Sequence, residues 1–122
     1  MRIKITVGPL LMEAELNETP TAKKVADVLP LKSSFNTWGE EIYFRIPVEA
    51  ELDESAREEV DKGDLGYWPP GNAFCIFFGQ TPMSKAGKII PASGVNIIGK
   101  VAGDAGRFKE VMGEHEVAVE AD

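Results

Sequence analysis

The run Ala73-Phe74-Cys75-Ile76-Phe77-Phe78 constrains what this chain can fold into more than any other feature. It has no polar position to turn toward water, and Gly71 and Gly79 bound it. An apolar run this short, flanked by turn residues, reads as a strand buried on both faces rather than as a buried helix. It is the expected central strand of the core.

Around it the chain alternates. Arg2–Val7 places Ile3, Ile5 and Val7 on one face and Arg2, Lys4 and Thr6 on the other, the period-two pattern of a half-buried strand. Gly8-Pro9 signals a turn, and Leu11–Leu16 alternates again with Glu13 and Glu15 outward, so the two form an antiparallel hairpin. Thr19-Pro20 opens a helix, with Thr as the cap and Pro where its missing N–H is harmless. Ala22, Val25, Ala26 and Leu29 follow at helical spacing until Pro30. Leu31–Trp38 alternates weakly, Glu41–Ile46 strongly, and Val48, Ala50 and Leu52 continue with period two after Pro47. Asp53–Asp64 is acidic and without apolar period, a loop or a turn of helix that is either a solvated connection or a docking face for a basic partner. Val95–Val101 is a further strand, with Gly99 as a bulge or close approach. Asp104 caps a second short helix through Met112, and Glu116–Glu120 is the last strand. Many strands with two short helices predict a closed barrel or a sandwich, and a barrel removes exposed edges. No repeat or linker interrupts residues 1–122, so one domain is expected.

The charge balance narrows the function classes. Twenty acids against thirteen Lys and Arg give a net charge of −7, which opposes binding to nucleic-acid backbones. No apolar run reaches the length of a bilayer span, and the alternating N-terminus is unlike a signal peptide. One cysteine permits no internal disulfide and suits a reducing compartment, so a cytoplasmic location is expected. No ligand spacing for a metal appears, nor a glycine-rich phosphate loop, and no cofactor is expected. Cys75 lies inside the apolar run, where a thiol is an inert small hydrophobe, so it forms no nucleophilic pair with His115. Glu40 and Glu41 are adjacent, point to opposite faces of a strand and cannot act as a carboxylate pair.

The order of elements and several short motifs resemble cyclophilin. Gly71-Asn72-Ala73-Phe74-Cys75-Ile76 is similar to the family's G-S-Q-F-F-I strand, and Thr81-Pro82-Met83 stands where it has T-P-W. Gly87-Lys88 resembles G-K-H, Ile98-Gly99-Lys100-Val101 resembles F-G-K-V, and Gly106–Val111 resembles the closing helix. Ahead of Ile98 the chain carries extra residues around Pro91-Ala92-Ser93-Gly94. The whole chain resembles more closely the small prokaryotic cyclophilin-like proteins, a group without an established biochemical role. Their N-T-W-G-E-E-I-Y-F and G-D-x-G-Y-W-P-P-G-x-A signatures stand at Asn36–Phe44 and Gly63–Ala73. The resemblance implies a mainly β fold, a closed antiparallel cyclophilin-like β-barrel with two short helices.

It also implies a test for isomerase chemistry. Rotating a prolyl amide means crossing a barrier of ~18–20 kcal/mol. An enzyme needs an apolar pocket for the ring and a fixed cation donating to the twisting amide. The family's arginine in F-H-R-V corresponds to Arg45 in Tyr43-Phe44-Arg45-Ile46, the candidate catalytic residue. The other pocket positions are rewritten: the strand Gln becomes Ala73, the aromatic floor Cys75, the rim Trp Met83, and the His Lys88 or Ile89. Efficient isomerisation is therefore not expected. Binding is the first expectation, with a weak prolyl isomerase using Arg45 and an interaction subunit docking through the acidic face as the alternatives. Tyr67 and Trp68 precede Pro69-Pro70-Gly71, and with Trp38, Phe74 and Met83 they form either an aromatic plug or a platform at the barrel mouth. Such a platform suits an extended or proline-containing peptide or a small ligand.

Overall fold

A computed structural model describes residues 1–122. Ten strands and one α-helix follow in the order β1 (Arg2–Val7), β2 (Leu10–Leu16), α1 (Pro20–Asp27), β3 (Leu31–Ser34), β4 (Asn36–Thr37), β5 (Glu41–Arg45), β6 (Ala56–Arg57), β7 (Asp64–Trp68), β8 (Ala73–Phe77), β9 (Val95–Val101) and β10 (Glu116–Ala121). No helix is long and apolar enough to cross a membrane. The N-terminal hairpin pairs Ile5 with Met12 and Val7 with Leu10 across the Gly8-Pro9 turn, as the alternation predicts. Thr19 caps α1, its hydroxyl accepting from the Ala22 N–H at 3.3 Å. The second helix is a 3-10 segment, Ala105–Val111, whose cap Asp104 accepts from the Gly106 N–H at 2.9 Å.

The strands run β3-β10-β1-β2-β9-β7-β8-β5-β4 in one antiparallel sheet, with β6 pairing on β9. Its two ends, β3 and β4, are consecutive in the chain, and no hydrogen-bonded ladder joins them. The expected closed barrel is therefore corrected: the sheet curls almost fully round but keeps one unsealed seam. The cause is local. The segment expected to run as one strand from Leu31 to Trp38 breaks at Phe35; its first part pairs with β10, and Asn36 and Thr37 pair with β5. The chain itself spans the seam. The period-two stretch after Pro47 likewise forms no strand, although Val48 is buried against the core. The acidic Asp53–Asp64 segment is neither plain loop nor helix. It holds β6 and a bridge from Val60 to Ile89.

The two faces of β8 explain the architecture. Phe74 and Ile76, with Phe78 just beyond, turn inward to a cluster of 25 buried residues that fills the barrel. Ala73, Cys75 and Phe77 turn outward into a separate cluster of six, completed by Val60, Ile89 and Val95. The apolar run is thus buried on both faces because the chain folds back over the outside of the barrel. Gly99 is required where β2 crosses β9, since a Cβ there would strike the Glu15 carbonyl oxygen. The register between β7 and β9 shifts at Leu65/Gly66, giving the bulge beside that approach. Inside, Asn96 is fully buried and satisfied. It accepts from the Asp53 N–H at 2.8 Å and donates to Thr21 at 3.0 Å and to the Glu51 carbonyl at 2.9 Å, tying α1, the acidic segment and β9 together.

Candidate functional site

Cross-strand register builds the site on the outer face of the barrel. Glu41 lies opposite Phe77, Tyr43 opposite Cys75, and Trp68 opposite Ala73, so β5, β8 and β7 present these side chains together. Gly66 leaves the middle of this surface low: a Cβ there would come within 3.1 Å of Phe77 and 3.2 Å of Val95. The turn before β5 brings Trp38 alongside, its N–H donating to the Glu41 carbonyl at 2.9 Å. Gly39, at φ +61°, lets this turn press on Gln80 and Pro82, where a Cβ would approach within 2.7 Å of the Gln80 carbonyl.

The covering segment supplies the last wall. Val60 donates its N–H to the Ile89 carbonyl at 3.0 Å. Thr81 is buried; its N–H donates to the Ser84 hydroxyl at 2.9 Å and its hydroxyl to the Ile90 carbonyl. Pro91 and Ala92 then descend beside β9, and the Trp68 Nε1–H donates to the Ser93 hydroxyl at 2.7 Å. Trp38, Glu41, Tyr43, Trp68, Pro91, Ala92 and Val95 enclose a half-open cavity of about 120 Å³. The Pro91-Ala92-Ser93-Gly94 residues, additional to the cyclophilin pattern, build the cavity wall and anchor its tryptophan.

Of the residues singled out in the sequence, the structure brings Trp38 and Trp68 to the cavity and separates the rest. Tyr67 and Phe74 are corrected: both are fully buried inside the barrel, on the opposite face of their strands from Trp68 and Cys75. The Tyr67 hydroxyl donates to the Val48 carbonyl at 2.6 Å, and the Phe74 ring stacks on Phe44 with centroids 5.1 Å apart. They plug the core. Met83 is also corrected. Thr81 and Ser84 knot the loop into a tight turn that leaves Met83 at its tip, 47% exposed and outside the cavity lining. Arg45 shares the outward face of β5 with Tyr43 but sits one period further along, opposite Ala73, exposed and not part of the cavity wall. Trp38 and Trp68 line a cavity on the barrel's flank rather than at its mouth.

The cavity holds one ionisable carboxyl. Glu41 is only 6% exposed, and burial pushes its pKa from 4.5 to about 7, with the Cys75 thiol beside it easing the ionised form slightly. None of the chain's ion pairs includes Glu41. Its neighbour Glu40 points to the other face, meeting Lys109 at 3.0 Å and accepting from the Gln80 N–H at 3.1 Å. Burial, and then the Glu41 carboxylate, push the Cys75 thiol well above its ordinary range, so the thiol is no nucleophile. Nowhere do three or more His, Cys, Asp or Glu side chains gather as they would to hold a metal. A carboxyl in this setting can pair with a cation or exchange a proton near neutrality. Glu41, Tyr43, Pro91, Ala92 and Val95 were not singled out from the sequence. The available signal was the outward period of β5, which puts Glu41 and Tyr43 on one face with Arg45.

Comparisons with known proteins agree with this architecture. The chain is similar over its full length to the hypothetical protein AF2241 from Archaeoglobus fulgidus, solved in solution, at 42% identity and a TM-score of 0.82, covering 95% of that chain. It also superposes on McbB, solved in complex with tryptophan, with a TM-score of 0.73 at 16% identity, covering 98% of this chain and 44% of McbB, a likeness of fold alone. No curated protein matches. The family model described as cyclophilin-like matches residues 1–120, and the chain belongs to the cyclophilin-like family.

Proposed function

We propose that this chain is a cyclophilin-like binding domain that takes a compact group, a small ligand or one side chain of an extended peptide, into the flank cavity, without efficient prolyl isomerisation. The observation that carries the reading is the cavity itself. Three aromatic side chains, a buried proline and a valine surround a single buried polar group, the usual composition of a small-ligand site. The cavity admits one compact group rather than a length of chain. Arg45 stands outside it, so no guanidinium faces a proline ring seated between Trp38, Tyr43 and Trp68. That McbB, which shares the fold, is described in complex with tryptophan is compatible with small-ligand binding on such a barrel.

The test is an amide chemical-shift titration with small apolar probes, indole first, and with a proline-containing tetrapeptide, beside a peptide isomerisation assay. Shifts are expected to gather at Trp38, Tyr43, Trp68, Ala92 and Val95 and to vanish in Trp68→Ala. Shifts centred on Arg45, with isomerase activity that Arg45→Ala abolishes, would replace this reading with a prolyl isomerase.

A further inference from the structure

We propose that the group this cavity takes is an alkylammonium cation, enclosed by Trp38, Tyr43 and Trp68 and paired with the carboxylate of Glu41. The inference rests on the binding reading above and adds the chemistry of the ligand. Aromatic side chains alone would suit any apolar group. A carboxyl on a residue only 6% exposed, with neither an ion pair nor a backbone donor, changes the preference.

Burying a lone carboxyl in an apolar wall is unfavourable unless something compensates it. In this fold the chain offers only the weak donor of the Cys75 thiol. Titratable groups face Glu41 only from its own strand, through the Tyr43 phenol, and from β8, through the Cys75 thiol. β7 and the turn before β5 bring indoles, while the covering loop and β9 bring Pro91, Ala92 and Val95. No lysine or arginine lines the cavity. The missing partner is a positive charge, and the surrounding rings attract cations through their π faces. An ammonium on a short alkyl body satisfies both halves of the site, since its carbon groups lie against the rings while its charge meets the carboxylate. A neutral ligand of the same shape gains only the first half, and an anion is repelled once Glu41 ionises.

Burial also couples binding to pH. Glu41 holds its proton up to about pH 7, so a cation entering below that value must release it to solvent. Affinity for an ammonium should then fall with acidification, by about tenfold for each pH unit below the carboxyl's pKa. Affinity for a neutral probe should stay level.

The test compares n-butylammonium with n-butanol, and choline with its neutral carbon isostere, by tryptophan fluorescence and amide shifts at about pH 8 and about pH 6. Both ammonium probes are expected to bind about tenfold or more tightly than their neutral partners at the higher pH, and to lose most of that advantage at the lower. Glu41→Gln is expected to remove the preference while still binding the neutral probes. Carbon-13 observation of the Glu41 carboxyl in the unaltered protein gives a readout that needs no variant: its titration midpoint must move down when choline is added. Equal binding of charged and neutral probes in this cavity, unaffected by Glu41→Gln, overturns the ammonium assignment and leaves the binding reading standing. Absence of any probe from the cavity overturns both.

Discussion

Replacing Glu41 by Gln should stabilise this protein at neutral and alkaline pH, against the usual cost of changing a buried residue. The side chains are nearly isosteric and Glu41 is only 6% exposed, so packing is retained. The folded chain holds the Glu41 proton up to about pH 7, whereas the unfolded chain releases it near the ordinary value of 4.5. Between those values the folded state binds more protons, so stability falls as pH rises. The contribution is fully present in acid below the unfolded value and is lost through the folded one. Each pKa unit is worth about 1.4 kcal/mol, so ionising Glu41 inside the fold costs about 3 kcal/mol. Glutamine never ionises. Glu41→Gln should therefore match the parent protein at about pH 4 and exceed it by about 3 kcal/mol at about pH 8, or about 10 °C in Tm. Urea unfolding of both proteins across this range checks it, and the other carboxylates, common to both chains, cancel in the difference. A difference that stays flat with pH, or a glutamine variant weaker at pH 8, would refute the reasoning and mean that water reaches the carboxyl freely.

Three other perturbations separate core from cavity. Tyr67→Phe removes the hydroxyl that donates to the buried Val48 carbonyl and should cost about 1–2 kcal/mol in urea unfolding, with probe binding at the cavity unchanged. Gly99→Ala drives a Cβ into the Glu15 backbone and should cost about 2–3 kcal/mol, detectable as a lower Tm. The Cys75 thiol, 1% exposed, should react with an aromatic disulfide reagent only as fast as the protein unfolds. Fast labelling in the folded state would show that the covering loop opens independently.

Most of the frame was legible because it depends on local alternation. The hairpin, the Thr19-capped helix, the two-sided burial of Ala73–Phe78 and the close approach at Gly99 each follow from residue spacing or from one glycine. The unsealed seam was not legible. Nothing in Leu31–Trp38 announces that pairing changes partner at Phe35, since that depends on where β10 and β5 arrive from distant parts of the chain. The 3-10 form of Ala105–Val111 was hidden for a similar reason: its cap and inward residues Phe108 and Val111 serve either helix over two turns.

The site was legible by face and illegible by depth. Period two places Glu41, Tyr43 and Arg45 outward on one strand, and carrying the cyclophilin arginine across drew attention to the third of them. What separates the three is the covering chain. Trp38 and Pro91 close over the Glu41 end of the strand, and the Thr81–Ser84 knot turns Met83 away from it. Arg45, beyond their reach, remains in water. The same side-chain alternation therefore yields a desolvated carboxyl at one end and an ordinary surface arginine at the other. The residues that decide this, Pro91 to Gly94, are those for which the cyclophilin pattern has no counterpart. A frame shared with a family predicts chemistry only where the segments covering it are shared too. Here the departure lies in the cover, which buries an acid at one end of β5 and leaves Arg45 in water at the other.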